Sequence, residues 1–202
     1  MNGYQKLVLR PLTGDLRHDT YQFLVENGCP DTAQHCLDVG DEARNIALQY
    51  GVDPDTAAYS GYLHDISAVV PNEERIAAAK ELGIEVLLEE EVFPMIIHQK
   101  LSRQMAIDLF KVDDLQVVDA AGCHTTLRAN PTVLDKVLFV ADKIAWDQPG
   151  NPPYLREIKQ ALEQSLDAAC FSYIDYLWQR REQLKVVHPW LRDAYYELRV
   201  KL

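Results

Sequence analysis

The sequence has few basic residues for its content of acidic ones. Among its 202 residues, 20 are Lys or Arg and 31 are Asp or Glu, which gives a formal net charge of −11 at pH 7. A chain with this charge repels nucleic-acid backbones and anionic lipid. We therefore expect neither nucleic acid nor a membrane surface as a partner, although a bound metal could still attract a small phosphorylated molecule.

Cysteine and long hydrophobic runs are scarce as well. The four cysteines form no C-x-x-C pair, and a chain of this length needs no disulfide to stabilise its core. Uncharged apolar stretches such as residues 92–97 fall well short of the roughly 18 residues that cross a bilayer. The apolar run at residues 7–9 is too short for a signal peptide. These absences predict reduced thiols and a cytoplasmic protein.

Strand signals are nearly absent too. The sequence shows no sustained alternation of apolar and polar residues, whereas apolar residues recur at helical spacing. We therefore predict an all-α fold, in which Gly51 and Asp53 mark the boundary between the first two core helices. Helices are expected over residues 31–50, 53–66, 71–83, 98–110, 114–123, 131–146, 154–184 with a possible break, and 190–202. Residues 146–153, rich in Pro and Gly, form the clearest predicted loop.

Two aspartates fall on predicted packing faces of helices. Asp65 lies one turn beyond Gly61 on a face of small residues, and Asp142 continues the apolar stripe of Leu134 and Leu138. A buried carboxylate must be paired with a cation or bound to a metal, because an isolated buried charge is too costly. For Asp142, a buried ion pair with Lys or Arg and a metal ligand are equal alternatives.

Histidines on the neighbouring helices favour the metal. His35, His64, His98 and His124 lie near the predicted inward faces. Each alone is typical of a hydrogen-bonded core or helix-end histidine. Together with the two aspartates, however, they give every predicted core helix from residue 31 to 146 except the third one His or Asp near its inward face. Imidazole and carboxylate ligands in this number suit a pair of divalent first-row metals.

Other polar residues are interpreted as structural or solvated. The pair His18-Asp19 lies in a polar stretch near a helix start, which is typical of a solvated surface pair. The acidic cluster at residues 89–91 is expected to form a solvated face. His188 lies outside the order of candidate ligands and is assigned a structural role.

The order of the candidate ligands resembles a known family. It is the six-ligand, two-metal pattern of the HD-domain phosphohydrolases, here His35, His64-Asp65, His98, His124 and Asp142. More closely, the segments 62–65, 98–102, 123–126 and 140–144 are similar to those of bacterial HD-domain symmetrical bis(5′-nucleosyl)-tetraphosphatases. The resemblance spans residues 31–190. It implies an HD-domain helical bundle over residues 31–202, with a metal site between the core helices and residues 1–30 as an N-terminal helical extension.

The resemblance also implies roles for these residues. One metal would be held by His35, His64, Asp65 and Asp142, and Asp65 would bridge to a second metal held by His98 and His124. His64 and Asp65 would be the catalytic residues. Members of this branch are associated with iron, and related enzymes use manganese or other divalent ions. The implied activity is hydrolysis of a phosphoric anhydride or phosphoester bond of a nucleotide by a metal-activated water, most specifically of diadenosine tetraphosphate to two ADP.

Three positions depart from the family pattern. Ala68 stands where a lysine is common, Gln99 where a small residue is usual, and Leu127 where glycine is usual. We therefore keep two alternatives, an HD-type nucleotidase or other nucleotide phosphohydrolase, and a non-catalytic module that binds nucleotide or metal. A homodimer is one assembly that we consider. Candidate phosphate contacts are Lys100, Arg103, Arg128 and Lys143, and candidates for stacking on a nucleobase are Trp146 and Tyr154.

Overall fold

The fold is built from helices in the part of the chain that the computed structural model describes, residues 6–146 and 150–202. Over these ranges no strand is present, so the predicted all-α fold is confirmed. Residues 147–149 of the predicted 146–153 loop lie outside the described residues, as do residues 1–5 of the predicted extension.

Eleven α-helices follow one another along the described residues. They are α1 (Leu16–Glu26), α2 (Pro30–Tyr50), α3 (Pro54–Leu63), α4 (Arg75–Glu81), α5 (Leu88–Val92), α6 (His98–Asp108), α7 (Leu115–Ala121), α8 (Val133–Ile144), α9 (Leu155–Leu162), α10 (Leu166–Trp178) and α11 (Pro189–Lys201). Two 3-10 turns cover Ile66–Val69 and Arg181–Gln183. None of these helices combines the length and the apolarity that crossing a membrane requires.

Local signals set the boundary between α2 and α3 as predicted. Gly51 ends α2 with φ of 70°, a left-handed conformation that glycine adopts without a steric penalty. The Asp53 carboxylate accepts a hydrogen bond from the Thr56 amide at 2.7 Å, and Pro54 follows at the start of α3. These are the preferred residues for a helix cap and for a first helical position.

Other predicted boundaries are wrong. The helix that starts at Pro54 ends at Leu63 rather than at residue 66, and α4 starts at Arg75 rather than near residue 71. The sequence analysis missed α5, because five residues are too few to show a helical period. The possible break within the helical stretch predicted over residues 154–184 is confirmed, since the Ser165 hydroxyl accepts a hydrogen bond from the Ala168 amide at 3.0 Å and starts α10. The predicted end at residue 184 is wrong, because α10 ends at Trp178.

Two buried apolar clusters meet along α2. The larger one joins α2 and α8 to α9, α10 and α11, with Phe139 and Ile158 fully buried. The second joins α1, α6 and α7 to the N-terminal half of α2, through residues such as Phe23 and Met105. Burial of this apolar surface is the main force that holds the helices together. Helix α1, which lies within the predicted 1–30 extension, packs into the second cluster together with helices of the predicted 31–202 domain. The boundary between the two at residue 30 stays a prediction.

Two glycines let α2 and α3 approach closely. A Cβ atom added at Gly61 would lie 2.5 Å from the Cα atom of Gly40, a distance at which the backbones would have to separate. The close approach brings the end of α3 against α2, so that the rings of His35 and His64 lie 5.1 Å apart between centroids. The glycine that the sequence analysis placed on a packing face thus positions candidate ligands.

Two acidic residues are buried where solvent was predicted. Asp19 is 9% exposed and accepts hydrogen bonds from the amides of Thr13 and Gly14 and from the Thr13 hydroxyl, so it closes the loop before α1 rather than facing water. In the acidic cluster of α5, Glu90 is fully buried, Glu89 is half-buried and Glu91 is exposed as predicted. Both corrections have the same cause, because donors outside the local helix satisfy the carboxylate.

Candidate metal centre

The structure brings the six candidate ligands into one cluster between the core helices. They come from five points of the fold: His35 in α2, His64 and Asp65 directly after α3, His98 at the start of α6, His124 in the turn after α7, and Asp142 in α8. All four histidines are buried or nearly so, and Asp142 is largely shielded from solvent. The hydrogen-bond acceptors of these side chains therefore face one another rather than water.

One part of the cluster lies between α2, α3 and α8. The Nε2 atom of His35 lies 3.3 Å from Oδ1 of Asp142, and Nε2 of His64 lies 3.7 Å from the same oxygen. One ligand atom from each of these three residues falls within 4.8 Å of the other two. This spacing suits coordination of a single ion by two imidazoles and a carboxylate.

The second part lies around Asp65, whose two carboxylate oxygens face different histidines. Oδ2 lies 3.6 Å from Nε2 of His64. Oδ1 lies 3.0 Å from Nε2 of His98 and 3.4 Å from Nε2 of His124. A carboxylate with one oxygen toward each group of imidazoles has the geometry that a bridging ligand needs.

Backbone carbonyls fix which ring nitrogen of three histidines carries hydrogen. The Nδ1 atoms of His64, His98 and His124 each donate to the carbonyl three residues earlier in the chain. Because a carbonyl oxygen can only accept, Nδ1 carries the hydrogen and Nε2 of the neutral ring presents its lone pair. These are the nitrogens that converge, and those of His98 and His124 are 2.9 Å apart. A cation between such lone pairs removes their repulsion, so the donor set fits a divalent metal.

Burial favours the neutral form of two of the imidazoles, and neighbouring groups keep both carboxylates charged. Burial lowers the pKa of His64 to about 4 and also lowers the pKa of His124. Burial alone would raise the pKa of Asp65, but the facing imidazoles of His64 and His98 hold it well below its usual range. For Asp142 the opposing effect comes from Lys143. Ionised carboxylates, together with the neutral imidazoles of His64 and His124, are the protonation states that bind a divalent cation.

A cleft of about 260 Å³ opens onto this cluster. Besides candidate ligands, its walls are formed by Met95, Thr125, Lys143, Trp146, Tyr154 and Tyr173. The Lys143 ammonium forms an ion pair with Asp142 and donates to the His124 carbonyl at 3.2 Å. The sequence analysis named Lys143, Trp146 and Tyr154, but it missed Tyr173, whose position in α10 carries no motif. The Thr125 hydroxyl, 3.1 Å from Nε2 of His124, lies in a segment that carried the resemblance.

The other three candidate phosphate contacts are paired with carboxylates. Lys100 contacts Glu90 at 2.9 Å, Arg103 contacts Asp119 at 2.8 Å and Arg128 contacts Asp135 at 2.9 Å. Their side chains are not among the described residues that line the cleft. A role for Lys100, Arg103 or Arg128 in substrate binding therefore stays a prediction, and the structure gives each of them a different partner.

Gln99, one of the departures from the family pattern, has a structural explanation. Its side chain is fully buried, and its carbonyl oxygen accepts from the amides of Thr125 and Thr126 at 3.0 and 3.3 Å. Its amide nitrogen donates to the Thr126 hydroxyl at 3.1 Å. Gln99 thus ties the turn that carries His124 to the helix that carries His98.

Replacing Gln99 with alanine is expected to weaken metal binding about 10–100-fold, because Gln99 holds in place the turn that carries the candidate ligand His124. The two threonine amides would lose a buried acceptor, which costs about 1–3 kcal/mol in the free energy of unfolding. Metal dissociation constants from chelator competition and urea denaturation measure the two effects. Gln104→Ala on the same helix is the control, because the Gln104 side chain donates to the nearby Asp108 carboxylate at 3.0 Å rather than to the turn that carries His124. Unchanged metal affinity in Gln99→Ala would contradict this role.

Comparisons with known proteins agree with the geometry. The sequence model of the family described as HD domain matches residues 32–147. A Lactococcus lactis subsp. cremoris protein, described as an uncharacterized protein in the pepC 5′ region, is 43% identical over 80% of this chain and 82% of its own length. A Bacillus subtilis protein described as a symmetrical bis(5′-nucleosyl)-tetraphosphatase is 27% identical over 69% of this chain and 74% of its own length.

A solved structure shows the same fold. It is a Clostridium acetobutylicum protein described as a "predicted HD superfamily hydrolase involved in NAD metabolism", and it superimposes with a TM-score of 0.84. The match covers 92% of this chain and 97% of the other at 24% sequence identity. At this identity the likeness establishes the architecture and leaves the substrate open.

Proposed function

This chain belongs to the HD domain family as a metal-dependent phosphohydrolase, and we propose that it hydrolyses dinucleoside tetraphosphates symmetrically to two nucleoside diphosphates. Family membership is supported by the match over residues 32–147. The choice of substrate is supported by two relatives described as symmetrical bis(5′-nucleosyl)-tetraphosphatases, from Bacillus subtilis and Halalkalibacterium halodurans. The observation that carries the proposal is the convergence of imidazole and carboxylate ligands at the foot of a cleft.

The six clustered residues are proposed to share one or two divalent ions. His35, His64 and Asp142 would hold one ion, His98 and His124 would hold the other, and Asp65 would bridge them. Iron is the proposed metal. Manganese or another divalent ion is the alternative, because imidazole and carboxylate bind several first-row metals. Metal analysis of the purified protein decides between these ions.

When bound, a divalent metal acidifies a coordinated water and polarises the phosphate oxygens. In the proposed hydrolysis, a water oxygen bonds to phosphorus, the bridging P–O bond breaks, the second diphosphate leaves and the water proton passes to solvent. The chain prepares this reaction by holding its ligands: carbonyls orient the rings of His64, His98 and His124. Lys143 lies beside Asp142 and the cleft, where its charge favours an anionic substrate.

No serine near the centre is placed as a nucleophile among the described residues. The Ser67 hydroxyl donates to the His98 carbonyl at 2.8 Å, and the Ser102 hydroxyl donates to Ser67 at 2.9 Å. Both hydroxyls are fully buried and fasten the start of α6 to the turn after Asp65. Their contacts support direct attack by water rather than a covalent intermediate.

Product analysis tests the substrate. The metal-loaded protein is incubated separately with diadenosine tetraphosphate, ATP and AMP, and the products are separated by chromatography. Two ADP from the tetraphosphate is the expected result. Inorganic phosphate from AMP without tetraphosphate cleavage would favour a nucleotidase instead. Full metal occupancy without turnover of any nucleotide would contradict both activities and favour a binding module.

A further inference from the structure

Arg75 differs from the other shielded basic residues in its lack of a carboxylate partner. Within residues 6–146 and 150–202, each other lysine or arginine that is at least partly buried has a carboxylate oxygen at 3 Å or less. These are Arg17, Arg44, Lys100, Arg103, Arg128, Lys136 and Lys143. In the same described ranges no carboxylate oxygen lies within 4.0 Å of the partly buried Arg75 guanidinium.

Two backbone carbonyls hold this guanidinium beside the metal centre. At the first position of α4, Arg75 donates from Nε to the Val70 carbonyl at 3.2 Å and from Nη1 to the Met95 carbonyl at 3.4 Å. The Arg75 side chain is not among the described residues that line the cleft, but Met95 is, and the Met95 carbonyl also accepts the Nδ1 hydrogen of His98. A single carbonyl oxygen therefore separates the guanidinium from a candidate ligand.

The charge of Arg75 is incompletely compensated in the folded chain. Burial lowers its pKa, and the nearby Asp65 carboxylate offsets part of that effect. Arginine nevertheless stays protonated in proteins, and a shielded charge without a counter-ion is costly. Its two hydrogen bonds use only part of a planar set of five N–H donors, which matches the oxygens of a phosphate.

We propose that Arg75 is a substrate-binding residue that contacts a phosphate group of a nucleotide at the Asp65–His98 side of the cleft. Lys143 lies on the Asp142 side, so the two cations would hold different phosphates of one polyphosphate chain. The inference rests on the proposed function in taking a nucleoside polyphosphate as the ligand. It adds a specific cation that the chain itself supplies for the phosphates.

Binding of ADP, compared with adenosine, tests this assignment. Both are titrated by calorimetry into the metal-loaded protein, as wild type, Arg75→Gln, Arg75→Lys and Arg44→Gln. Glutamine removes the charge and keeps a side-chain donor for the carbonyls, so it should raise the dissociation constant of ADP about 10–100-fold, as loss of a charged hydrogen bond does. Lysine should recover part of the affinity, and the Arg44 variant, whose partner is Asp55, should bind as wild type. Adenosine affinity should be equal in all four proteins.

Metal content, measured on the same samples, separates substrate binding from a structural role. Equal metal content with weakened ADP binding supports the proposal. Loss of metal in both Arg75 variants would place the role in holding His98 and would overturn it, as would equal ADP affinity in wild type and Arg75→Gln, or no ADP binding by wild type. If ADP binding depends on Arg75 but diadenosine tetraphosphate is not cleaved, the proposed function fails and the role of Arg75 stands.

Discussion

Replacing Asp65 with asparagine is expected to remove metal and hydrolytic activity together. The change keeps the shape of the side chain but removes the charge that faces three imidazoles at 3.0 to 3.6 Å. A metal lowers the activation barrier of such a hydrolysis by several kcal/mol. Its loss should therefore reduce kcat/KM roughly 10³-fold or more. Metal content by elemental analysis and hydrolysis of the nucleotide found to be the substrate measure the two losses.

The control for this experiment is Asp38→Asn. Asp38 is an exposed residue of α2, and the bond that it accepts from Gln34 lies on the surface. This variant should retain wild-type metal content and turnover. If Asp65→Asn kept both, or if the control lost both equally, the proposed role of Asp65 as a bridging ligand would be wrong.

The fold could be predicted to the extent that local signals determine it. The absence of strand patterns and the recurrence of helical spacing were enough for the all-α class, and Gly51 and Asp53 marked a helix boundary correctly. The sequence analysis failed where a helix is short, as in α5, and it gave the break that Ser165 makes only as a possibility without a position. Both cases depend on a few hydrogen bonds rather than on a repeated pattern.

The sequence located the clustered His and Asp residues better than it located basic residues beside the cleft. Aspartate on an apolar helix face signals burial, which identified Asp65 and Asp142. Proximity along the chain is a poorer guide to phosphate contacts. Lys100 lies two positions after His98 in α6, and residues two apart on a helix do not share a face. Arg75 reaches the Met95 carbonyl twenty residues along the chain, a contact that no local pattern shows.

Replacing Glu90 with glutamine is expected to lower the free energy of unfolding by about 3–5 kcal/mol, the range for breaking one side of a buried ion pair. Glu90 is fully buried and Lys100 is 8% exposed. The carboxylate lies 2.9 Å from the Lys100 ammonium and 3.3 Å from Nε2 of His188, which caps the start of α11. The variant leaves the buried ammonium without an anionic partner, and neutral acceptors such as the Glu85 carbonyl replace it. Urea denaturation of the metal-free proteins measures the change.

The adjacent Glu91 provides a matched control. Its ion pair with Lys80 is exposed on both sides, so Glu91→Gln should change the free energy of unfolding by less than about 1 kcal/mol. The double variant Glu90→Leu with Lys100→Met should recover much of the loss, because an apolar replacement leaves no buried charge without a partner. Equal effects of Glu90→Gln and Glu91→Gln would contradict the buried pair.

The pH dependence of the same measurement has a definite sign. Burial opposes ionisation of Glu90, but the hydrogen bonds from His188, the Leu87 amide and Lys100 lower its pKa in the folded state. A lowered folded pKa makes the carboxylate stabilising above the ordinary glutamate pKa of about 4.3 and removes that stabilisation as the pH falls through the lower folded value. The difference between wild type and Glu90→Gln should therefore be constant near neutral pH and shrink only below about pH 4.3. A difference that did not shrink as the pH fell well below 4.3 would show that the ionised carboxylate is not its source.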